Sequence, residues 1–201
     1  NGTWTSGPFS LGGFWNPVAT SGVFDPRVLY DPDPAYGGRW IWVACQGSVS
    51  AASGLLVAAS ANSEPVRGTG ALFDADPANL VWADYPSVGF NKHWVVVQVN
   101  MFSTTIPYPF VRSEVYVFSK AQLYAGTFAP TVITLGATSC GGNPCGGTQV
   151  PAATYDFGQE DLYLLQRWNS GAGALRLYRL STPASPAITP LGFPIGAAWA
   201  D

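Results

Sequence analysis

A short pattern recurs three times along the chain and constrains its fold more than any other feature. Proline, any residue, Val or Ala, any residue, an aromatic residue, and then Asp or Asn follow one another at 26–31, 86–91 and 151–156. The second and third copies start 60 and 65 residues after the copy before them. Self-similarity at such a period indicates a repeat architecture, in which each repeat is one supersecondary unit.

Each copy of the pattern is followed by three more short apolar runs with the alternation of β-strands. The second runs lie at 40–43, 94–97 and 163–165, the third at 55–60, 115–119 and 175–181, and the fourth at 71–73, 132–135 and 187–189. Four short strands per repeat of about 60 residues are typical of a β-propeller blade. A β-sandwich is the alternative, and it accounts for the number of strands but not for the threefold pattern.

We therefore predict an all-β fold, a single β-propeller domain with three four-stranded blades and one short helical turn at 120–124. The predicted segments are an edge or closing strand at 1–24, blades at 25–79, 80–137 and 148–192, and the start of a further blade at 193–201. Trp-Ala-Asp leads into the second blade at 82–84 and recurs at 199–201. Because three blades are too few to close a ring, we expect a larger ring of five to six blades, completed by a longer chain or by copies of this one.

The composition excludes several classes of protein. Only 10% of the residues are charged and 47% are hydrophobic, which disfavours disorder, coiled coils and nucleic-acid binding. The 23 Gly and 17 Pro disfavour a helical fold. No apolar run is long enough to span a bilayer, so we expect no membrane span.

The cysteines and the first residue predict export. Cys140 and Cys145 flank Gly-Gly-Asn-Pro, a spacing that fits a small loop disulfide in a secreted protein, with a metal site as the alternative. Cys45 lies in an apolar strand and is expected to be a buried free thiol. The chain starts at Asn1 and its one Met is Met101, so we expect a processed piece of a longer secreted product.

Three polar residues stand where the innermost strand of each predicted blade begins. These are Asp25, Asp84 and Gln149, and such positions line the central funnel of a propeller. The arrangement resembles the five-bladed glycoside hydrolases that cleave arabinan, xylan and fructan. That resemblance implies a general base at Asp25 and a second acid at Asp84, but the family's general acid is replaced by Gln149. An amide cannot protonate a leaving group, and a carboxylate before a strand also commonly fixes a turn.

A longer set of motifs resembles secreted bacterial propellers of uncharacterised function. They are Asp-Pro-x-Val-x-Tyr-Asp at 25–31, Arg-Trp at 39–40, Ser-x-x-Ser-Glu-Pro at 60–65 and Trp-Ala-Asp-Tyr-Pro at 82–86. The likeness extends over about residues 24–190. It implies export and a propeller longer than this chain, and it implies no activity.

Two weaker candidates complete the predicted sites. Trp168 lies in an expected hairpin loop and is the best exposed platform for a sugar ring. Asp31-Pro-Asp33 could contribute oxygens to Ca²⁺, although a solvated turn is the alternative, and no cofactor is otherwise expected.

These features predict an extracellular, non-catalytic module that attaches to glycan or associates with copies of itself into a surface or filament structure, the filament arising from a head-to-tail contact that does not close. Residues 43–63, 121–155 and 182–200 contain no Asp, Glu, Lys or Arg, which indicates faces covered by glycan, by further blades or by other copies. The alternative is a five-bladed glycoside hydrolase that uses Asp25 and Asp84.

Overall fold

The computed structural model of the chain describes residues 9–136, 139, 142, 145–169 and 174–194. This part of the chain is all-β and forms three four-stranded antiparallel sheets. None of its helices is long and apolar enough to cross a membrane. Three separate sheets, rather than two, disfavour the β-sandwich alternative.

Each sheet is a meander in which strands consecutive in the sequence pair with one another. The first sheet contains β1 (Val23–Asp31), β2 (Arg39–Gln46), β3 (Gly54–Ser60) and β4 (Arg67–Asp74). The second contains β5 (Val81–Phe90), β6 (Trp94–Ser103), β7 (Phe110–Ser119) and β8 (Thr131–Leu135). The third contains β9 (Val150–Pro151), β10 (Leu162–Asn169), β11 (Ala174–Ser181) and β12 (Ala187–Gly192).

The predicted strands are confirmed with one shortening. All the apolar runs predicted as second, third and fourth strands lie within strands of the structure. The first strand of the third repeat was expected near 150–156, but its antiparallel pairing covers only Val150–Pro151. Beyond it, the Phe90 amide donates to the carbonyl of Ala152 at 3.1 Å, and the Thr154 amide donates to the carbonyl of Phe90 at 2.8 Å. The Ala152 amide still donates to the carbonyl of Tyr163 in β10 at 2.8 Å, so Ala152 is hydrogen-bonded to both β5 and β10.

Two hydrophobic layers hold the sheets face to face. Side chains of the first sheet such as Ile41, Val43 and Leu55 pack against Val95 and Val97 of the second. The opposite face of the second sheet packs against the third sheet. The second sheet contributes Trp94, Val96, Val115 and Val117, and the third contributes Leu162, Leu164, Tyr178 and Leu180. The second sheet is thus buried on both faces.

The N-terminal segment corrects the expectation of an edge strand over 1–24. Within its described part, Leu11–Trp15 form a short helix, α1, and only Val23 and Phe24 extend into β1. The Ser10 hydroxyl accepts a hydrogen bond from the Gly13 amide at 3.0 Å and caps the helix. Trp15 is 1% exposed and packs with Phe14 against the outer face of the first sheet. The segment is a cap on that sheet and not a strand beside it.

The remaining helices are short. Lys120–Tyr124 form α2, directly after β7, where the sequence predicted a helical turn. Pro34–Tyr36 form a single 3₁₀ turn between β1 and β2, with the Asp33 carboxylate accepting from the Ala35 amide at 3.0 Å.

Gly89 in β5 lies directly against the backbone at the start of the third sheet. A Cβ atom at this position would lie 2.4 Å from the carbonyl oxygen of Ala152 and 2.6 Å from that of Pro151. Because no side chain fits into such a contact, glycine is required for the two inner strands to meet.

Candidate functional site

The inner strands β1 and β5 carry matching irregularities at the residue before proline. The pairing of β1 with β2 shifts between Phe24 and Arg27, and the pairing of β5 with β6 shifts between Asp84 and Ser87. Within these bulges Asp25 has a φ of 49° and Tyr85 a φ of 52°. Such conformations cost free energy for residues other than glycine, and bulges redirect side chains out of the regular ladder.

The two bulges bring the predicted carboxylates Asp25 and Asp84 into electrostatic contact. Burial raises the pKa of the Asp84 carboxyl above its usual value, and the negative charge of Asp25 raises it further. A hydrogen bond from the Tyr85 amide, 2.8 Å from Asp84 Oδ1, opposes both effects. The Arg27 guanidinium lies over the Tyr85 ring, 5.2 Å from its centroid, and so links the bulges.

A groove of about 700 Å³ opens between the second and third sheets beside these bulges. We term it the inter-sheet groove. Its walls combine one carboxylate, one guanidinium, one amide, three aromatic rings and a few small or aliphatic residues. They are Asp84, Tyr85, Asn100, Phe102, Phe110, Gly147, Thr148, Val150, Leu165 and Arg167.

One wall of the inter-sheet groove is fixed by a polar network. Asn100 Nδ2 donates to the Thr148 hydroxyl at 2.8 Å, and the Thr148 amide donates back to Asn100 Oδ1 at 2.7 Å. Gln98 Nε2 also donates to Asn100 Oδ1, at 2.9 Å. Thr148 has a φ of 60°, which is rare for a β-branched residue, and these hydrogen bonds hold it there. The groove is therefore preorganised on this side.

Gln149 does not reach the inter-sheet groove. Its side chain is fully buried, and Nε2 donates to the carbonyl of Gly146 at 2.8 Å. The sequence predicts Gln149 as a binding residue at the funnel. In the structure its side chain instead forms a hydrogen bond to the loop that precedes β9. The position that would supply a proton in a hydrolase is thus both an amide and inaccessible.

Trp168 lies in strand β10 and not in the expected hairpin loop. It is 44% exposed, but the Arg176 guanidinium stands over its ring at 4.6 Å from the centroid, and the Phe193 ring lies 5.4 Å away. A sugar could stack only on the part of the indole that these two side chains leave open.

Asp31 and Asp33 form neither a Ca²⁺ site nor a solvated turn. Both side chains are buried, and both contact the buried ammonium group of Lys120, with Nζ 2.7 Å from Asp31 Oδ2 and 2.8 Å from Asp33 Oδ2. The Tyr124 hydroxyl donates to Asp31 Oδ2 at 2.6 Å. Burial, followed by the negative charge of Asp31, raises the pKa of Tyr124. No local sequence pattern predicts this cluster, because Lys120 lies in a different repeat from Asp31 and Asp33.

Among the described residues, no group of three or more His, Cys, Asp or Glu side chains is arranged to hold a metal ion. Cys45 is a buried free thiol, which confirms the prediction, and burial raises its pKa, with smaller contributions from Asp84 and Asp25. Cys145 is buried, but Cys140 lies outside the described residues, so their disulfide stays a prediction.

The third sheet has one apolar face that belongs to neither hydrophobic layer. We term it the open face and define it by Val150, Tyr163, Leu165, Leu175 and Leu177, which line a depression of about 620 Å³. Val150 is 45% exposed and Leu165 41%. None of the five side chains belongs to a buried cluster of the described chain.

Comparisons of the chain with protein-family models, with curated proteins and with solved structures find no match. The open face and the inter-sheet groove are therefore the two features on which a proposed function can rest.

Proposed function

We propose that the chain is an extracellular, non-catalytic module of propeller-type blades that works by association through its open face. The observation that carries this proposal is the contrast between the three sheets. The face of the first sheet that carries Ile41 and Val43 is covered by the second sheet, and the face of the second sheet that carries Trp94 and Val96 is covered by the third. The matching face of the third sheet, with Leu165, is uncovered in the described chain.

The blade interpretation is supported by how the sheets are stacked. The inner strands β1, β5 and β9 are neighbours in space, in that order. The single bridge between Phe90 and Ala153 is parallel, so β5 and the segment after β9 run in the same direction. Inner strands that run in parallel past one another, each starting its own antiparallel meander, are typical of the wall around a propeller axis.

The free energy of covering the open face is large enough to drive association. Removing apolar surface from water contributes about 25 cal/mol per Å², so a sheet face of a few hundred Å² is worth on the order of 5 to 10 kcal/mol. This is comparable to the whole stability of a domain. An apolar face of this kind marks an interaction surface.

The helix α1 determines which partner fits the open face. In a head-to-tail stack, the open face would meet the outer face of the first sheet of another copy, around Trp42 and Leu56. That outer face is already covered by Trp15 and Phe14. The interface that remains compatible is between the open faces of two copies, related by a twofold axis. We therefore propose an isologous dimer, and this replaces the head-to-tail filament expected from the sequence.

Sedimentation equilibrium over a range of protein concentrations tests the dimer. We expect twice the chain mass for the wild type and one chain mass for Leu165→Glu, because the substitution brings a carboxylate from each copy into an apolar interface, where removing it from water is costly. Ile106→Glu is the matched control, since Ile106 is 75% exposed and does not line this face, and it should leave the dimer intact. A wild type that stays monomeric while its circular dichroism shows folded β-sheet would contradict the proposal. Larger assemblies would instead favour the head-to-tail contact.

A second candidate function is glycan binding in the inter-sheet groove. The specific observation is the combination of the Tyr85, Phe102 and Phe110 rings with the polar groups of Asp84 and Arg167. Apolar walls with a few placed polar groups are typical of small-ligand sites. Asp84 is the one carboxylate among the described residues that line the groove, which favours binding over the two-carboxylate chemistry of a hydrolase.

Calorimetric titration with arabinan and xylan oligosaccharides, together with an assay for released reducing sugar, tests this second candidate. We expect binding that is weakened about tenfold or more in Phe110→Ala and unchanged in Phe9→Ala, a control at a ring that is 72% exposed elsewhere. We expect no released sugar. Hydrolysis that disappears in both Asp25→Asn and Asp84→Asn would establish the hydrolase alternative instead.

A further inference from the structure

The buried cluster of Lys120, Asp31 and Asp33 has the composition and geometry of a reaction site between side chains. The side chains of Lys120 and Asp31 are fully buried and that of Asp33 is 7% exposed. Lys120 Nζ lies within 2.8 Å of an oxygen of each carboxylate. An amine and two carboxyl groups are thus in contact, in a place that bulk water does not reach.

The surroundings of Lys120 are aromatic and exclude bulk water, and the faces of the rings also attract its ammonium group. Its Nζ lies 5.5 Å from the centroid of the Tyr36 ring, 5.5 Å from that of Phe90 and 5.2 Å from that of Phe157. One ammonium and two carboxylates leave one negative charge without a cationic partner in the cluster. Burying ions carries a desolvation penalty that good geometry offsets only in part, and an amide would remove one charge of each sign.

We propose that Lys120 and Asp33 condense spontaneously to an isopeptide bond, a covalent amide between Nζ and Cγ, with Asp31 as the proton carrier. The proposal is independent of the dimer and of glycan binding. It adds a modification site that links the end of β1 and the turn after it, in the first sheet, to α2, which directly follows β7 of the second sheet.

The two carboxylates differ in their hydrogen bonds, and this difference assigns their roles. Asp31 Oδ2 accepts from the Tyr124 hydroxyl at 2.6 Å, which holds this oxygen 2.7 Å from Lys120 Nζ, so we assign Asp31 as the base. The Oδ1 atom of each carboxylate accepts from a backbone amide, that of Asp31 from Asp33 at 3.1 Å and that of Asp33 from Ala35 at 3.0 Å, so the Tyr124 hydroxyl is the contact that distinguishes them. With Asp31 as the base, the Ala35 amide is placed to stabilise negative charge that develops on Asp33 Oδ1 during attack at Cγ.

The steps balance without any further reactant. The Lys120 ammonium gives one proton to Asp33 Oδ2, and the nitrogen lone pair then forms a bond to Cγ while the carbonyl electron pair moves onto Oδ1. The Asp31 carboxylate takes a second proton from the nitrogen and passes it to Oδ2. The Cγ–Oδ2 bond breaks, water leaves, and the electron pair on Oδ1 restores the carbonyl. Asp31 ends as it began, and the products are one amide and one water.

The intact mass of the purified, folded chain tests the proposal directly. The mass is measured after reduction and denaturation, so that a Cys140–Cys145 disulfide does not contribute. We expect a mass lower than that of the sequence by one water. Tandem mass spectrometry of a tryptic digest should find the peptide 28–39 joined to the peptide that contains Lys120, with no cleavage after that lysine.

Three variants separate the roles. Asp33→Asn should still form the bond, but with ammonia as the leaving group, so its mass falls by one ammonia. Lys120→Arg keeps a cation but no amine that can be acylated, and it should keep its full sequence mass. Asp31→Asn should also keep its full mass, because the proton carrier is lost.

The wild type alone suffices to overturn the proposal, so a variant that fails to fold leaves it testable. A folded wild type, verified by circular dichroism, that keeps its full sequence mass after prolonged incubation would exclude the bond. A cross-link located at Asp31 instead of Asp33, or one that persists in Asp31→Asn, would overturn the roles assigned here.

Discussion

The carboxylate of Asp84 is partly buried, and the carboxylate of Asp25 lies close to it. A pKa raised in the folded state means that the folded chain binds this proton more tightly than the unfolded chain does. The protonated form therefore stabilises the fold at low pH, and this stabilisation is lost as the pH rises through the raised pKa. At neutral pH the charged Asp84 is a small cost to stability, as is common for residues kept for function.

Replacing the charge should therefore stabilise the protein. We expect Asp84→Asn to raise the free energy of unfolding at pH 7, by less than about 1 kcal/mol because solvent screens this half-buried group. The amide oxygen of Asn can still accept from the Tyr85 amide. The gain should vanish below the usual pKa of a carboxyl group. Urea unfolding at both pH values measures this effect, and Glu64→Gln, at an exposed site, is the control. A loss of stability at pH 7 would show that the charge is structural.

The position and burial of individual residues could be predicted from the sequence to different extents. The proline that follows Asp25, and the one that follows Tyr85, mark the bulges, so the position of Asp84 at the start of a repeat could be predicted from the sequence. The burial of Gln149 was not, because it depends on a loop that folds back onto its side chain. Lys120 was missed because its partner carboxylates are 87 residues away or more, and pairing over such distances leaves no local pattern.

The strands could be predicted because the same alternation of apolar and polar residues occurs in all three repeats. Three local patterns that are each weak therefore support one another. Residues 9–22 lack this support, since they occur once. The sequence predicts an edge strand there, but Phe14 and Trp15 belong to the α1 segment and pack on the face of the first sheet. The period of apolar residues cannot distinguish a five-residue helix from a strand.

The α1 cap should contribute strongly to stability. We expect Trp15→Ala to lower the free energy of unfolding by about 3 to 5 kcal/mol, because it leaves a cavity over Leu56 and Ala58. Phe9→Ala, at an exposed ring close in sequence, should change it by less than about 0.5 kcal/mol. Thermal and urea unfolding give both values. Equal effects of the two substitutions would mean that the segment does not protect the first sheet.

The stacking covers the three sheets to different extents, so we expect their backbone amides to differ in protection from hydrogen exchange. In the part of the chain that the structure describes, the second sheet is covered on both faces, the first by α1 and the second sheet, and the third on one face only. Local opening is easiest where few apolar contacts must break.

Hydrogen exchange followed by mass spectrometry should show this order. We expect the slowest amide exchange in β6, at the centre of the second sheet, and the fastest strand exchange in β12, at the outer edge of the third. At concentrations that favour the dimer, β10 and β11 should gain protection, whereas β2 and β3 should not. Uniform exchange over all three sheets would contradict the expected order.

Gly89 sets how far apart the inner edges of two neighbouring sheets stand. Its hydrogen atom occupies the place where any Cβ would meet the carbonyls of Pro151 and Ala152. In the propeller that we propose, the distance between inner edges contributes to the angle between neighbouring sheets. A ring of such sheets closes only when these angles add up to a full turn. The absence of a side chain at Gly89 would therefore help to determine how many blades a complete ring can hold.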